Sequence, residues 1–257
     1  MKWSEKGNLK SQIDNDIWSS AKKYKDFLYT YTNNQRSLDS LESKFDSIFS
    51  KNEIEICELG CGMGWLSAYL KSKYNSKIKN IDLIDYDPKF AELSKDMFKL
   101  YKTSYNNVQF INKSFDNLSE LNSKYDLIIM SSSIHHFYDI YDFFNELQLK
   151  LKSHGYLILI NENPINKLKF TFQLLKNYLH DFYCHLFDSK YERFKQISHC
   201  GIKYDPVLGD YIIPLNRYKY CLEKNGFKYD IVDSKFQQYT YRKLDHTLKH
   251  IVCQKLK

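Results

Sequence analysis

Three glycines at alternate positions, Gly60, Gly62 and Gly64, follow closely on the acid Glu58 and an apolar run. Glycines at a strand-to-helix junction let the backbone turn sharply and bring helix-terminal N–H groups up to a nucleotide-like ligand. A GxGxxG dinucleotide fingerprint would put its third glycine at position 65, where Trp65 stands. The spacing here is GxGxG, which points away from nicotinamide and flavin cofactors. Asp85 ends a second apolar run, at about the distance expected of an acid that binds ribose hydroxyls. Asp87, immediately before Pro88, suits a helix cap better. Farther along, His135 and His136 follow another apolar run. Imidazole titrates near neutrality, so a histidine there suits the removal of a proton from a hydroxyl. Neighbours on a helical turn point about 100° apart, so one ring of the pair faces a substrate and the other packs or caps.

These residues need a scaffold that brings them together, and hydrophobic periodicity supplies one. Residues 1–50 are helical in pattern, with Ile13, Ile17, Trp18, Tyr24, Phe27 and Leu28 on one face and Leu38, Leu41, Phe45, Ile48 and Phe49 continuing it. Short β-rich runs follow at 53–59, 79–85, 108–111, 125–130 and 156–160. Helices alternate with them: one from Trp65, one with Pro88 in its first turn and a stripe of Phe90, Leu93, Met97, Phe98 and Tyr101, and one over 139–151. A turn at Ser153-His154-Gly155 separates the last helix from its strand. This alternation predicts an α/β chain with a doubly wound, mainly parallel sheet. It breaks after Asn163-Pro164, where residues 165–215 are dense in aromatics, and resumes with a helix at 216–224, a stop at Asn225-Gly226 and strands at 227–232 and 247–253. The organisation expected is a helical cap (1–50), a ligand-binding core (51–164), an inserted lid (165–215) and a carboxyl-terminal part of the core sheet (216–257). A lid over the acceptor is the first reading of the insertion, because such folds bind ligands at this edge. A dimer interface is the second, and a membrane-surface helix the third.

With these segments in view, Glu58-Leu59-Gly60-Cys61-Gly62-Met63-Gly64 resembles motif I of the class I S-adenosylmethionine-dependent methyltransferases. Four further segments match the same family in order. Residues 81–88 look like its second strand with the ribose acid, and 108–115 like its third strand and adenine loop, although many relatives carry Asp where Ser114 stands. Residues 125–137 are similar to its fourth strand and S-x-x-H-H continuation, and 151–159 to the "LKPGG" turn into strand five. The resemblance implies a Rossmann-like, seven-stranded sheet with the last strand antiparallel. It implies S-adenosyl-L-methionine as cofactor and S-adenosyl-L-homocysteine as product. Glu58, Gly60, Cys61 and Gly62 would hold the cofactor at the glycine loop, Asp85 its ribose, and Tyr86, Ser114 and Phe115 its adenine. Met130 and Ser131 would border its methionine portion, and His135 or His136 would act on the acceptor. Relatives with the S-x-x-H-H feature methylate small metabolites, mostly at oxygen. The [DNS]-P-P-[YF] motif of enzymes acting on exocyclic base amines is missing from Met130-Ser131-Ser132-Ser133. The expected acceptor is a small polar metabolite, a sugar or phosphorylated precursor, with an RNA methyltransferase or a non-catalytic cofactor-binding scaffold as the rival readings.

Composition sets the outer bounds. The chain has 257 residues and a formal charge of +7, yet only Arg36, Arg193, Arg217 and Arg242 among its 38 basic residues are arginines. Arginine is the preferred partner of phosphate and guanine, and the lysines form no compact run, so nucleic acid is disfavoured as a partner. No long apolar stretch or secretory h-region occurs, which predicts a cytoplasmic protein without a membrane span. Cys57, Cys61, Cys184, Cys200, Cys221 and Cys253 contain no CxxC pair and read as reduced thiols. His180, Cys184 and His185 are too few to build a zinc site, so no metal is expected. Either a monomer or a homodimer is compatible with the chain.

Overall fold

A computed structural model describes residues 16–30, 34–121, 123–137, 139–165, 167–187, 202–203, 211–234 and 248–256. The cap contributes helices α1 (Ala21–Thr30), α2 (Asn34–Leu38) and α3 (Glu42–Ile48). The core then alternates β1 (Ile54–Leu59), α4 (Trp65–Tyr74), β2 (Ile78–Asp85), α5 (Phe90–Leu100), β3 (Val108–Asn112), β4 (Tyr125–Ser131), α6 (Ile140–Lys150) and β5 (Leu151–Glu162). After it come α7 (Lys167–Phe187), the two short strands β6 (Ile202–Lys203) and β7 (Tyr211–Ile212), α8 (Leu215–Lys224), β8 (Phe227–Asp233) and β9 (Lys249–Lys255).

Seven strands form one sheet in the order β3-β2-β1-β4-β5-β9-β8. Strands β1 to β5 pair in parallel, while β9 runs antiparallel to both β5 and β8. Side chains alternate between two apolar layers, as a pleated strand requires. Ile56, Leu127, Ile129 and Ile158 join α4, α5 and the cap on one face. Cys57, Ile128, Met130, Leu157 and Leu159 join α6 and α8 on the other. The chain winds outward from β1 to β3 and then returns to β4, so the order reverses between β1 and β4. The carboxyl edge of the sheet at that reversal is where open α/β folds bind ligands.

The sequence places most elements within a residue or two, and two details differ. Pro88 lies in a turn ahead of α5, which begins at Phe90, and the Asp87 carboxylate accepts from the Lys89 amide at 3.1 Å. The turn expected at Ser153-His154-Gly155 is instead a bulge inside β5. Leu151 faces Tyr125 and Tyr156 faces Leu127, so the residues between them bulge out opposite Asp126. Lys152 ties the bulge down through Asp126, 2.6 Å away, and through Glu55. His154 takes a φ of 61°, and a Cβ on Gly155 would sit 3.0 Å from the Lys152 carbonyl and 3.1 Å from that of Tyr125. A backbone this close leaves room only for glycine.

The cap is tied to the sheet by a buried polar cluster. The Asn161 amide donates to His250 Nδ1 (3.2 Å), and His250 Nε2 donates to the Ser37 carbonyl (2.9 Å). Burial holds His250 below its ordinary value, which keeps it in the neutral form that this arrangement needs. The insertion leaves and rejoins the core at one point. Ile165 bridges Pro214, its amide donates to the Ile213 carbonyl, and its carbonyl accepts from Leu215. Helix α7 exposes Leu168, Phe172, Leu175, Leu179 and Phe182. Strand β7 lies against the turn that carries the two histidines, and Tyr211 packs on the adjoining core. Residues 188–201 and 204–210 of the expected lid, and the first fifteen residues of the cap, lie outside the described residues.

Candidate active site

The glycine loop leaves β1 through three left-handed residues, with φ of 63° at Gly60, 51° at Gly62 and 67° at Gly64. The Cys61 amide donates to the Ile84 carbonyl (3.1 Å) and the Gly64 amide to that of Cys61 (2.8 Å), which fixes a tight entry into α4. A Cβ on Gly64 would lie 3.0 Å from Leu83 Cδ1. Positive φ and this contact act together, so Gly64→Ala is expected to cost about 1–3 kcal/mol, read from chemical denaturation.

Two acids hold the loop from opposite sides. The buried Glu58 carboxylate accepts from the Ser67 amide at 3.0 Å, in the first turn of α4, where the helix dipole favours a negative group. Burial nevertheless raises its pKa from the ordinary 4.5 to about 7. Asp85, at the end of β2, receives the Gly62 amide on Oδ2 (2.8 Å) and the Asp87 amide on Oδ1 (3.1 Å). Both carboxylate oxygens therefore engage the loop and strand backbone, and a carboxylate retains further acceptor capacity for a diol.

Because the Glu58 value is raised in the fold, the folded protein holds this proton more tightly than the unfolded chain. Its contribution to stability is present below about pH 4.5 and declines as the pH rises towards 7. Glu58→Gln, which keeps an acceptor for Ser67, should therefore gain in melting temperature relative to the native protein as the pH is raised across that window.

The cap closes over this loop with two aromatic residues that the sequence reading assigned only to a helical face. A Cβ on Gly62 would lie 3.6 Å from Trp18 Cζ3, and Trp18 stacks on Tyr24 with ring centroids 4.5 Å apart. Burial, followed by the charges of Glu58 and Asp85, pushes the Tyr24 phenol far above its usual value, which places it beside both acids. Periodicity identifies such a face as apolar but cannot say that it lands on the glycine loop.

Just past Asp85, Tyr86 is half-buried, and its phenol is raised to about 12 by burial and by Asp85 and Asp87. Ser114 follows β3 and is half-buried, and the neighbouring Lys113 amide donates to the Asp85 carbonyl at 3.0 Å. The side chain of Phe115 lies outside the described residues, as do those of His180, Cys184 and His185. Cys61 is buried, with its thiol raised by burial. Met130 is fully buried in β4, and Ser131 emerges at the end of that strand.

The two histidines occupy a single helical turn after β4, with ring centroids 4.4 Å apart. His136 is buried, whereas the His135 side chain remains 26% exposed. His135 Nδ1 lies 3.1 Å from Oε2 of Glu162, a fully buried acid at the end of β5. Glu162 Oε1 accepts from the amides of Ser133 (3.1 Å) and Ile134 (3.3 Å). The sequence reading passed over Glu162. An acid closing an apolar parallel strand, at the ligand-binding edge of a doubly wound sheet, was the available signal.

Gly60, Gly62, Asp85, Tyr86, Ser131 and His135 thus sit at the carboxyl ends of neighbouring strands. A glycine cradle with a carboxylate beside it fits the ribose and amino-acid portions of S-adenosylmethionine. The fold and this site define a class I S-adenosylmethionine-dependent methyltransferase. The chain belongs to the family described as "Methyltransferase domain", whose model matches residues 50–199. Its sequence is similar to a malonyl-[acyl-carrier protein] O-methyltransferase of Acetivibrio thermocellus, 30% identical over 132 residues, which is 51% of this chain and 44% of that protein. The chain thus spans less than half the length of that curated relative. Its fold is similar to an S-adenosylmethionine-dependent methyltransferase of Clostridium acetobutylicum (TM-score 0.56, 15% identity, 90% of this chain and 96% of that one). It is similar also to the magnesium protoporphyrin IX methyltransferase of Synechocystis solved with bound S-adenosylhomocysteine (TM-score 0.51, 15% identity, 86% and 85%). No helix among the described residues is long and apolar enough to cross a membrane.

Proposed function

We propose that the protein is an O-methyltransferase acting on a hydroxyl of a small polar metabolite, a sugar or phosphorylated biosynthetic precursor, in the cytoplasm. The observation that carries this reading is His135, partly open at the ligand-binding edge with its Nδ1 beside a buried carboxylate. When bound, S-adenosylmethionine supplies a methyl group already activated by its sulfonium. The protein's share is to align the acceptor, exclude water and take the hydroxyl proton. With the cofactor in place, His135 Nε2 would take the hydroxyl proton of the acceptor. Asp85 and the glycine loop bind the cofactor, Tyr86 and Ser114 flank the adenine, and β7 with α7 covers the acceptor. Free buried thiols at Cys57, Cys61 and Cys253 are in keeping with a reducing compartment.

The malonyl-[acyl-carrier protein] relative favours a second reading, methylation of a carboxylate. The two differ in their need for a base, since a carboxylate is already deprotonated and a hydroxyl is not. Radiolabelled methyl transfer to a panel of sugar phosphates, hydroxyl metabolites and malonyl thioesters separates them. A hydroxyl acceptor should be methylated at a rate that falls on acidification as an imidazole protonates. Transfer to the malonyl thioester alone, with no such dependence, would establish the second reading instead.

A further inference from the structure

We propose that Glu162 is a positioning residue that sets the tautomer of His135, holding the ring proton on Nδ1 so that Nε2 carries the lone pair. This inference rests on the proposed role of His135 as the base. Glu162 is fully buried, and such an acid is costly unless its oxygens are satisfied. Its two oxygens are divided between different partners. Oε1 takes the Ser133 and Ile134 amides, at 3.1 and 3.3 Å, which are fixed donors that no rotation can reverse. Oε2 lies 3.1 Å from His135 Nδ1. A carboxylate only accepts hydrogen bonds, so the ring nitrogen facing it must carry the proton. On the other side of the acid, α8 brings up Tyr218, whose buried phenol is raised well above its usual value by burial and then by Glu162. The acid is therefore anchored from the turn after β4, with its second oxygen left for His135 Nδ1.

The fixed amides make one substitution decisive. In Glu162→Gln, a side chain of the same shape has a single oxygen, and the Ser133 and Ile134 amides require it. The amide NH2 must then face His135 Nδ1, which becomes an acceptor, and the ring proton moves to Nε2. Loss of the correct tautomer with geometry intact is known to cost about 10⁴ in turnover in the serine-protease triad.

The experiment is nitrogen-15 NMR of histidine-labelled protein, with the His135 signals assigned by their loss in His135→Asn. Spectra are taken at a pH above the titration of the ring, and affinity for S-adenosylhomocysteine is measured in parallel. In the native protein, Nδ1 should give the protonated-nitrogen signal and Nε2 the bare one. In Glu162→Gln these should exchange, with affinity for S-adenosylhomocysteine within about threefold of native. A native spectrum with the proton on Nε2 overturns the proposal, and it does so even if Glu162→Gln fails to fold. A folded Glu162→Gln that keeps its proton on Nδ1 overturns it too. None of these measurements needs the methyl acceptor, so failure here is separable from failure of the base assignment, which is read from turnover in His135→Asn.

Discussion

His135→Asn should bind S-adenosylhomocysteine as the native protein does and should lose at least about a hundredfold in turnover on a hydroxyl acceptor, within the 10²–10⁴ range of a positioned general base. The ring sits past Ser131, on a turn whose backbone amides are held by Glu162 rather than by the glycine loop. Removing it therefore leaves the cofactor region intact. His136→Asn behaves differently. That ring is buried against its neighbour, so its replacement should lower the melting temperature while turnover per folded molecule stays within a few fold of native. Turnover, melting temperature and affinity measured on both variants give the comparison. If both turn over within about threefold of native, the proton leaves by another group.

Asp85→Ala is expected to weaken binding of S-adenosylhomocysteine at least tenfold, as read by calorimetry. Hydrogen bonds to a charged group contribute about 1.5–3 kcal/mol each, and Asp85 would give up its ribose contacts together with its grip on the Gly62 and Asp87 amides. The loss thus has a direct part and an indirect one, because Gly62 sits at a φ of 51° within the loop this carboxylate braces. Asp85→Asn separates them. It retains one oxygen for the Gly62 amide, so the loop persists, but it is a poorer partner for two hydroxyls. Its affinity should fall between those of Asp85→Ala and the native protein. NAD should bind to none of the three, as expected of a loop with Trp65 where a third glycine would stand. Unchanged affinity in Asp85→Ala would assign the ribose to a different acid.

The glycine loop and the acid beside it were legible because their signals are local. Gly60, Gly62 and Gly64 announce left-handed backbone by their residue type alone, and Asp85 announces a strand end by following Ile81, Leu83 and Ile84. The acceptor half depends on contacts between segments remote in sequence, which periodicity does not encode. Glu162 meets His135 across two strands, and Trp18 meets Gly62 from a separate helix. The β5 bulge escaped for a related reason. Ser153-His154-Gly155 is good turn chemistry, but whether such a triplet ends a strand or bulges from one is decided by the neighbouring strand and by Lys152 reaching Asp126.

The bridge between Ile165 and Pro214 has a bearing on how such an enzyme diversifies. The two ends of the insertion are pinned side by side by backbone hydrogen bonds, and just before the second of them β7 and Tyr211 rest on the histidine turn and the core. Closing a flexible loop costs only about 0.6 kcal/mol more for each doubling of its length. The chain between Ile165 and β7 could thus be lengthened or shortened at little thermodynamic cost to the glycine loop, Asp85 or the β9 pairing. Were the insertion to select the acceptor, substrate choice would be a modular property, separable from the machinery that holds the methyl donor.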